Sequence, residues 1–339
     1  MITSKPRIGI LAGDPAGIGP ELIAKLRAAD GVTEAADILL IGDAHIFAAG
    51  QAVAGVELPL VALDARKGWV GQHGALHALE TIAADEVDLA TVTEAGGRSV
   101  LRALDEALLL AQEGVIDAIV FGPFNKASMH KAGIGHDDEL HYMAERLGVT
   151  GYISELNTLD GMWTSRVTSH IALRDVADTI TGERVAQATH LIHRTLRRAG
   201  IDRPRIAVAA LNPHAGDGGN FGREEIDVLT PAIENLARGQ MSVTGPWPSD
   251  TVFLKAVRRE IDAVVTMYHD QGQIALKLLG FDRGVTVQGG LPIPVSTPAH
   301  GTAFDIAGQG VADLGATRAA FDIACAMVTH WENEKVTMA

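Results

Sequence analysis

Short apolar runs alternate with amphipathic stretches almost from end to end, and this alternation constrains the fold more than any other feature of the chain. Arg7–Ala12 reads as a buried strand, followed by a Gly/Pro turn and a helix from about Pro20. Asp37–Ile41 is a second run of the same kind, and Ala118–Phe121 a third, closed by Gly122-Pro123. Trp163–Ser169, Ile206–Leu211 and Ala263–Met267 read as further strands. Between them, Gly97–Glu113 sets Leu101, Leu104, Leu108 and Ala111 on one helical face. Thr181 is the expected N-cap of a helix that ends at Gly200. Gln271–Leu279 and Asp313–Glu332 complete the helical set. Strand–helix alternation at this spacing predicts an α/β chain with a largely parallel sheet, covered by helices on both faces. No repeat, low-complexity segment or flexible linker interrupts it, so two lobes are expected to be interwoven rather than serial. The expected division joins 1–125 with 245–339 in a first α/β lobe and leaves 126–244 to a second.

Composition narrows the function. A length of 339 residues suggests about two domains, and an apolar fraction of 47% can fill a large core. The net charge of -14 argues against a nucleic-acid backbone as partner. It does not argue against a small anion, because a local cationic site can outweigh the global field. Apolar stretches such as Ala107–Leu110 fall far short of the roughly 20 residues of a membrane span. The first residues lack the apolar core of a secretory signal. The single cysteine, Cys325, permits no intrachain disulfide. A reducing, cytoplasmic setting is therefore expected, without membrane or nucleic acid as partner.

Chemistry concentrates after the strands. Gly13-Asp14-Pro15-Ala16-Gly17-Ile18-Gly19-Pro20-Glu21 follows a strand and opens a helix. Its glycines suit either a tight structural turn or a ligand loop at a helix N-terminus. It is neither the dinucleotide fingerprint nor a P-loop. His170, His214 and His269 each close or follow a strand. In parallel α/β sheets ligands bind beyond the carboxyl ends of strands. Three neutral imidazoles with an open position suit a catalytic divalent metal; ordinary loop histidines are the plainer alternative. His190 and His193 flank an apolar helix face and are expected at the surface. His136 and His141 bracket Asp137-Asp138-Glu139, which is either a helix start or a substrate-facing turn. Lys126, after a strand, and Lys277, eight residues past His269, are either rim cations for an anionic substrate or solvated lysines. The stretch from His300 to Gly310 lacks the charge of an exposed loop, which predicts an apolar, flat contact.

Together these motifs match a family. The Gly13–Glu21 turn, Leu211-Asn212-Pro213-His214-Ala215-Gly216 and Tyr268-His269-Asp270-Gln271-Gly272 resemble the 4-hydroxythreonine-4-phosphate dehydrogenase (PdxA) family of vitamin B6 biosynthesis. Gly122-Pro123 with Lys126, and His300-Gly301-Thr302-Ala303, fit in the same order, so the resemblance spans nearly the whole chain. The His300–Gly310 segment also looks like the adenine-side cofactor loop of isopropylmalate and isocitrate dehydrogenases. The resemblance implies their α/β/α architecture, two interwoven lobes with a cleft, and a homodimer with active sites at the subunit interface. It implies NAD or NADP as oxidant, held by His300, Gly301, Thr302, Ala303 and Asp305. It implies a divalent metal (zinc, or magnesium, manganese or cobalt) on His170, His214 and His269. It implies oxidation of a small anionic hydroxy acid, with decarboxylation of the β-keto product. His136, Asp250 and Lys277 would line the substrate site. Asp250 and Lys126 are the candidate catalytic side chains.

Departures from the family pattern concern the substrate. Asp137 stands where the family has Thr, Thr286 where it has Asn, and Val295 where it has Arg. A phosphate dianion prefers Arg and is repelled by a carboxylate. Restoring Arg at 295 and Thr at 137 is therefore expected to improve use of a phosphorylated substrate. Relatives act on phospho-threonate, phospho-erythronate or the unphosphorylated dihydrodiol of terephthalate, and the sequence leaves these open. A three-histidine hydrolase is the alternative from another class.

Overall fold

Aliphatic runs form strands where the alternation predicts them, and six further strands of mixed composition join them. The computed structural model describes residues 5–69, 71–280 and 283–338, with side chains to residue 331. In chain order the strands are β1 (Arg7–Leu11), β2 (Asp37–Asp43), β3 (Val61–Leu63), β4 (Ala75–Leu79), β5 (Ala118–Phe121) and β6 (Ser154–Leu159). Then follow β7 (Met162–Arg166), β8 (Ile206–Ala209), β9 (Val243–Trp247), β10 (Ala263–Thr266), β11 (Val285–Gly289) and β12 (Val295–Pro298). The chain forms two compact units. One holds residues 1–150, 285–287 and 291–339; the other holds 151–284 and 288–290. This division differs from the expected lobes, for 126–150 join the first unit and 245–284 join the second. Spatial neighbours decide these points: the helices of 126–150 pack on the helix Glu94–Gln112, and β10 pairs with β7 and β8.

Within the first unit the strand order is β3-β4-β2-β1-β5-β12-β11, parallel except for the β11–β12 pair. Ile8, Ile10, Leu39, Leu40, Ile41 and all of β5 are at most 1% exposed. Strands covered on both faces read as continuous apolar runs, which is why β1, β2 and β5 are visible in the sequence. Each such side chain contributes about 1.5–3 kcal/mol on burial. The Gly13–Glu21 turn owes its glycines to packing: a Cβ on Gly19 would sit 2.1 Å from the Ala12 carbonyl oxygen, and one on Gly122 2.4 Å from it. Its helix runs Gly19–Ala28 with Pro in the first turn.

Within the second unit the order is β6-β7-β10-β8-β9, parallel except for the β6–β7 hairpin. Asp160 and Gly161 both have positive φ and join Leu159 to Met162, the mark of a type I′ turn. Thr181 caps the helix Gly182–Arg198 by accepting from the Arg184 N–H, as the sequence predicts. His190 is exposed on it. The helices Ser249–Val257 and His269–Gly280 both contribute to a core around Phe253, Val264 and Leu276. No helix among the described residues is long and apolar enough to cross a membrane.

Candidate functional site

Three histidines follow three neighbouring strands. β7, β10 and β8 lie side by side and parallel, and His170, His269 and His214 follow their carboxyl ends in that order. The rings of His170 and His269 are 5.5 Å apart between centroids. The Asp270 carboxylate can only accept: its Oδ1 lies 2.7 Å from His269 Nδ1 and takes that ring N–H, which keeps Nε2 available as a ligand atom. Buried hydrogen bonds hold this rim. The Thr168 N–H and hydroxyl both donate to the Met267 carbonyl, tying the His170 segment to the His269 segment. Gln271 accepts from the Met267 N–H and donates to the Ala210 carbonyl, tying the end of β10 to the end of β8.

Backbone strain marks His170 and the His214 loop. His170 has φ 38°. His214, Ala215, Gly216, Asp217 and Gly218 form a consecutive left-handed stretch, φ 44–79°. Each non-glycine residue there costs on the order of 1–3 kcal/mol, so the surroundings must hold it. Glu225, 2% exposed, does so: Oε1 accepts from the Leu211 and Asn212 N–H groups at 2.9 and 2.8 Å, and Oε2 accepts from the Asn212 amide. A Cβ on Gly216 would meet that Oε2 at 2.7 Å, so only glycine fits. Sequence reading misses Glu225, Gln271 and Thr168. A buried, clamping Glu is indistinguishable in sequence from its neighbour Glu224 on a polar helix start.

Among the described residues, no group of three or more His, Cys, Asp or Glu side chains is close enough to hold a metal. Within one chain two imidazoles come together, and His214, packed 6.2 Å from the Phe221 ring, is not grouped with them. The donor chemistry of the row, imidazole nitrogens with the second nitrogen of His269 oriented by Asp270, fits a borderline divalent cation. Asp250 and Lys277 belong to this unit. Both are exposed, Asp250 in the first turn of Ser249–Val257 and Lys277 on His269–Gly280.

The first unit holds the other candidates. Lys126 is exposed at the start of the helix Lys126–Lys131, whose N-cap Asn125 accepts from the Ser128 N–H. Asp138 is the N-cap of Glu139–Arg146, which makes the acidic cluster a helix start. Burial alone would raise the Asp138 carboxyl. Hydrogen bonds from the His141 N–H and ring, with the Lys126 charge, hold it below its ordinary value. His136 is bonded to Glu145, and Asp137 is exposed. Asp14, fully buried in the Gly-rich turn, behaves oppositely: burial raises its carboxyl more than the Ala16 N–H lowers it.

Two expectations change here. Val295 is 0% exposed in β12, in register with Ile119, so it is a core side chain and not a substrate contact. Thr286 is 9% exposed, opposite Thr297 in the β11–β12 pair. The His300–Gly310 segment uses its apolar residues on its own chain: Ala303, Ile306 and Ala307 pack on Ile18, Leu22 and Ala312. The Ile18 N–H donates to the Thr302 carbonyl, so this loop and the Gly13–Glu21 turn form one structure. Ala303 has φ 43°, the His300 Nδ1 lies 3.1 Å from the Gly301 carbonyl, and Gly301 and Asp305 are exposed.

Comparison with known proteins places this geometry. The family described as pyridoxal phosphate biosynthetic protein PdxA matches residues 34–324. A Pseudomonas aeruginosa protein, provisionally named 4-hydroxythreonine-4-phosphate dehydrogenase 2, is 54% identical, over 96% of this chain and 98% of its own. A Bradyrhizobium diazoefficiens protein, provisionally named D-threonate 4-phosphate dehydrogenase, is 40% identical, over 94% and 95%. The crystal structure of 4-hydroxythreonine-4-phosphate dehydrogenase from Klebsiella pneumoniae superposes with a TM-score of 0.84 at 34% identity, covering 97% of this chain and 99% of that one. A terephthalate 1,2-cis-dihydrodiol dehydrogenase from Burkholderia xenovorans gives 0.68 at 27%, covering 95% and 98%. An isocitrate dehydrogenase from Methylococcus capsulatus gives 0.50 at 15%, covering 97% and 87%, a likeness of fold alone. The expected fold class, α/β of the isocitrate dehydrogenase kind, therefore stands.

Proposed function

Because the chain belongs to the pyridoxal phosphate biosynthetic protein PdxA family, we propose that it oxidises a secondary alcohol of a small phosphorylated hydroxy acid with NAD or NADP as oxidant. It is a dehydrogenase, an oxidoreductase acting on CH–OH groups, and the hydrolase alternative falls away. The observation that carries the substrate-site reading is the row of His170, His269 and His214 beyond β7, β10 and β8, with His170 and His214 in strained backbone.

When bound, a divalent cation supplies Lewis acidity at the substrate oxygen and nicotinamide supplies a hydride acceptor. The three imidazoles would hold that cation, with Asp270 fixing the ring of His269. Lys277 offers positive charge to the anionic substrate, and His136 offers a polar contact. Lys126 and Asp250 are the groups we assign to proton movement at the alcohol. His300 to Asp305 would seat the cofactor, on a loop already anchored to the Gly-rich turn. A β-keto acid product would then lose CO2. A homodimer would complete the site, and Leu254, Val257, Ile274 and Leu278 support that reading: they are 51–83% exposed on Ser249–Val257 and on the helix that begins at His269. The lone Cys325 keeps the cytoplasmic reading. Burial, then Asp322, pushes its thiol up to about 12, so it is chemically quiet.

Asp137, an exposed carboxylate where the family has Thr, favours a second substrate, an unphosphorylated dihydrodiol or hydroxy acid. A substrate panel read by absorbance of the reduced cofactor, with and without metal, separates the readings. It should contain 4-phosphohydroxythreonine, 4-phosphothreonate, 4-phosphoerythronate and the terephthalate dihydrodiol. Metal-dependent reduction with a phosphorylated acid is expected. Reduction with the dihydrodiol alone would overturn the phosphorylated reading, and none with any member would overturn the reaction.

A further inference from the structure

At the opposite end of β2 and β4 from the Gly13–Glu21 turn, the first unit has a cavity of about 200 Å3. Lys5, Arg27 and His73 line it, with Asp37 as the one acid. Arg27 is 8% exposed, and its Nη2 donates to the Pro59 carbonyl at 2.8 Å. Among the described residues no carboxylate lies within ion-pair distance of it. Burial alone acts on this guanidinium, pushing it down from its ordinary value with no acid to oppose the effect. Lys5 reaches the rim, donating to the Thr33 carbonyl at 2.9 Å. Charged side chains are almost never buried unless paired. Arg27 sits in the last turn of its helix, whose carbonyl end offers only partial compensation. A chain of charge -14 has thus gathered two cations, Lys5 and Arg27, and the His73 imidazole against one acid around an open space. The space is too small for a drug-sized molecule but ample for a small oxyanion.

We propose that this cavity is a second, non-catalytic site for a small phosphate-class oxyanion, held by the Arg27 fork and capped by Lys5 and His73. The guanidinium fork matches oxyanion geometry and would gain the partner it lacks. None of its lining residues is assigned to the reaction, so it does not rest on the proposed activity.

Inorganic phosphate is the probe, titrated into the full-length protein at ionic strength matched with chloride. Phosphate should raise the thermal midpoint by about 2–4 °C at saturation, as a ligand of the folded state must. Arg27→Met should abolish the rise while keeping turnover. Lys277→Met, altered in the candidate active site, should retain it. An undiminished rise in Arg27→Met, or a rise lost only in Lys277→Met, would overturn the site. If Arg27→Met does not fold, Lys5→Met decides. A phosphate Kd weakened roughly tenfold by calorimetry is expected of one lost cation contact, and an unchanged Kd overturns the proposal.

Discussion

The imidazoles of His170 and His269 lie 5.5 Å apart, although 99 residues separate them in sequence and each follows a different strand. Parallel pairing of β7 with β10 brings them together, and Thr168 fixes the pair through the Met267 carbonyl. His269→Ala should remove bound divalent metal and turnover while leaving the circular dichroism spectrum intact. Asp270→Ala, which frees the ring of His269, should weaken metal affinity by about 10–100-fold. Metal analysis and chelator competition measure both. Retained metal in His269→Ala would end the three-histidine reading. Acidification should also release the metal, because only neutral imidazole ligates.

Glu225 holds the left-handed His214 loop from beneath. Glu225→Ala leaves the Leu211 and Asn212 N–H groups buried without their acceptor, and should cost about 2–3 kcal/mol. Urea unfolding should show that loss, and turnover should fall although Glu225 touches no substrate. Glu225→Gln keeps one carbonyl oxygen as acceptor and should lose less of each. Wild-type stability in the Ala variant would mean that the loop is held by something else.

Val295→Arg is the substitution that family comparison invites and burial forbids. Its side chain is fully enclosed in β12. An unpaired guanidinium there should cost about 3–5 kcal/mol, a large share of a typical stability of about 5–15 kcal/mol. Loss of soluble protein or a sharply lower urea midpoint is expected, with no gain on phosphorylated substrates. A stable variant with improved turnover would restore the sequence-based expectation.

Ile274 and Leu278 are 59% and 83% exposed, one helical turn apart. If they carry the homodimer, Leu278→Glu with Ile274→Lys should give folded monomers in sedimentation velocity, with turnover lost alongside dimerisation. Dimers of unchanged affinity would assign the interface elsewhere.

Asp138 links helix capping to pH. Its folded carboxyl titrates below the unfolded value of about 3.9. Its stabilisation is therefore complete above that value and lost as pH falls through the lower, folded one. Asp138→Ala should cost about 1 kcal/mol at pH 7. The gap between variant and wild type should close in urea unfolding well below about pH 4. A gap of equal size in acid would exclude the carboxylate as its source.

Sequence reading recovered β1, β2, β5, β7, β8 and β10; all but the polar β7 are largely apolar runs, as strands buried on both faces must be. It passed over β3, β4, β6, β9, β11 and β12, although the Asp160-Gly161 turn was a usable signal for the β6–β7 hairpin. It found the three histidines because position after a strand is a local property.

By itself, then, the sequence determined the alternation, and with it a parallel α/β core whose rim carries His170, His214 and His269. Local periodicity and strand ends require no knowledge of partners. Only the tertiary structure decided which of these side chains meet, that Glu225 clamps the His214 loop, that Val295 belongs to the core, and that Arg27 is buried without an acid. Each of those depends on strand order and on segments distant in sequence. Burial and charge pairing are properties of neighbours in space, and a linear pattern holds no record of them.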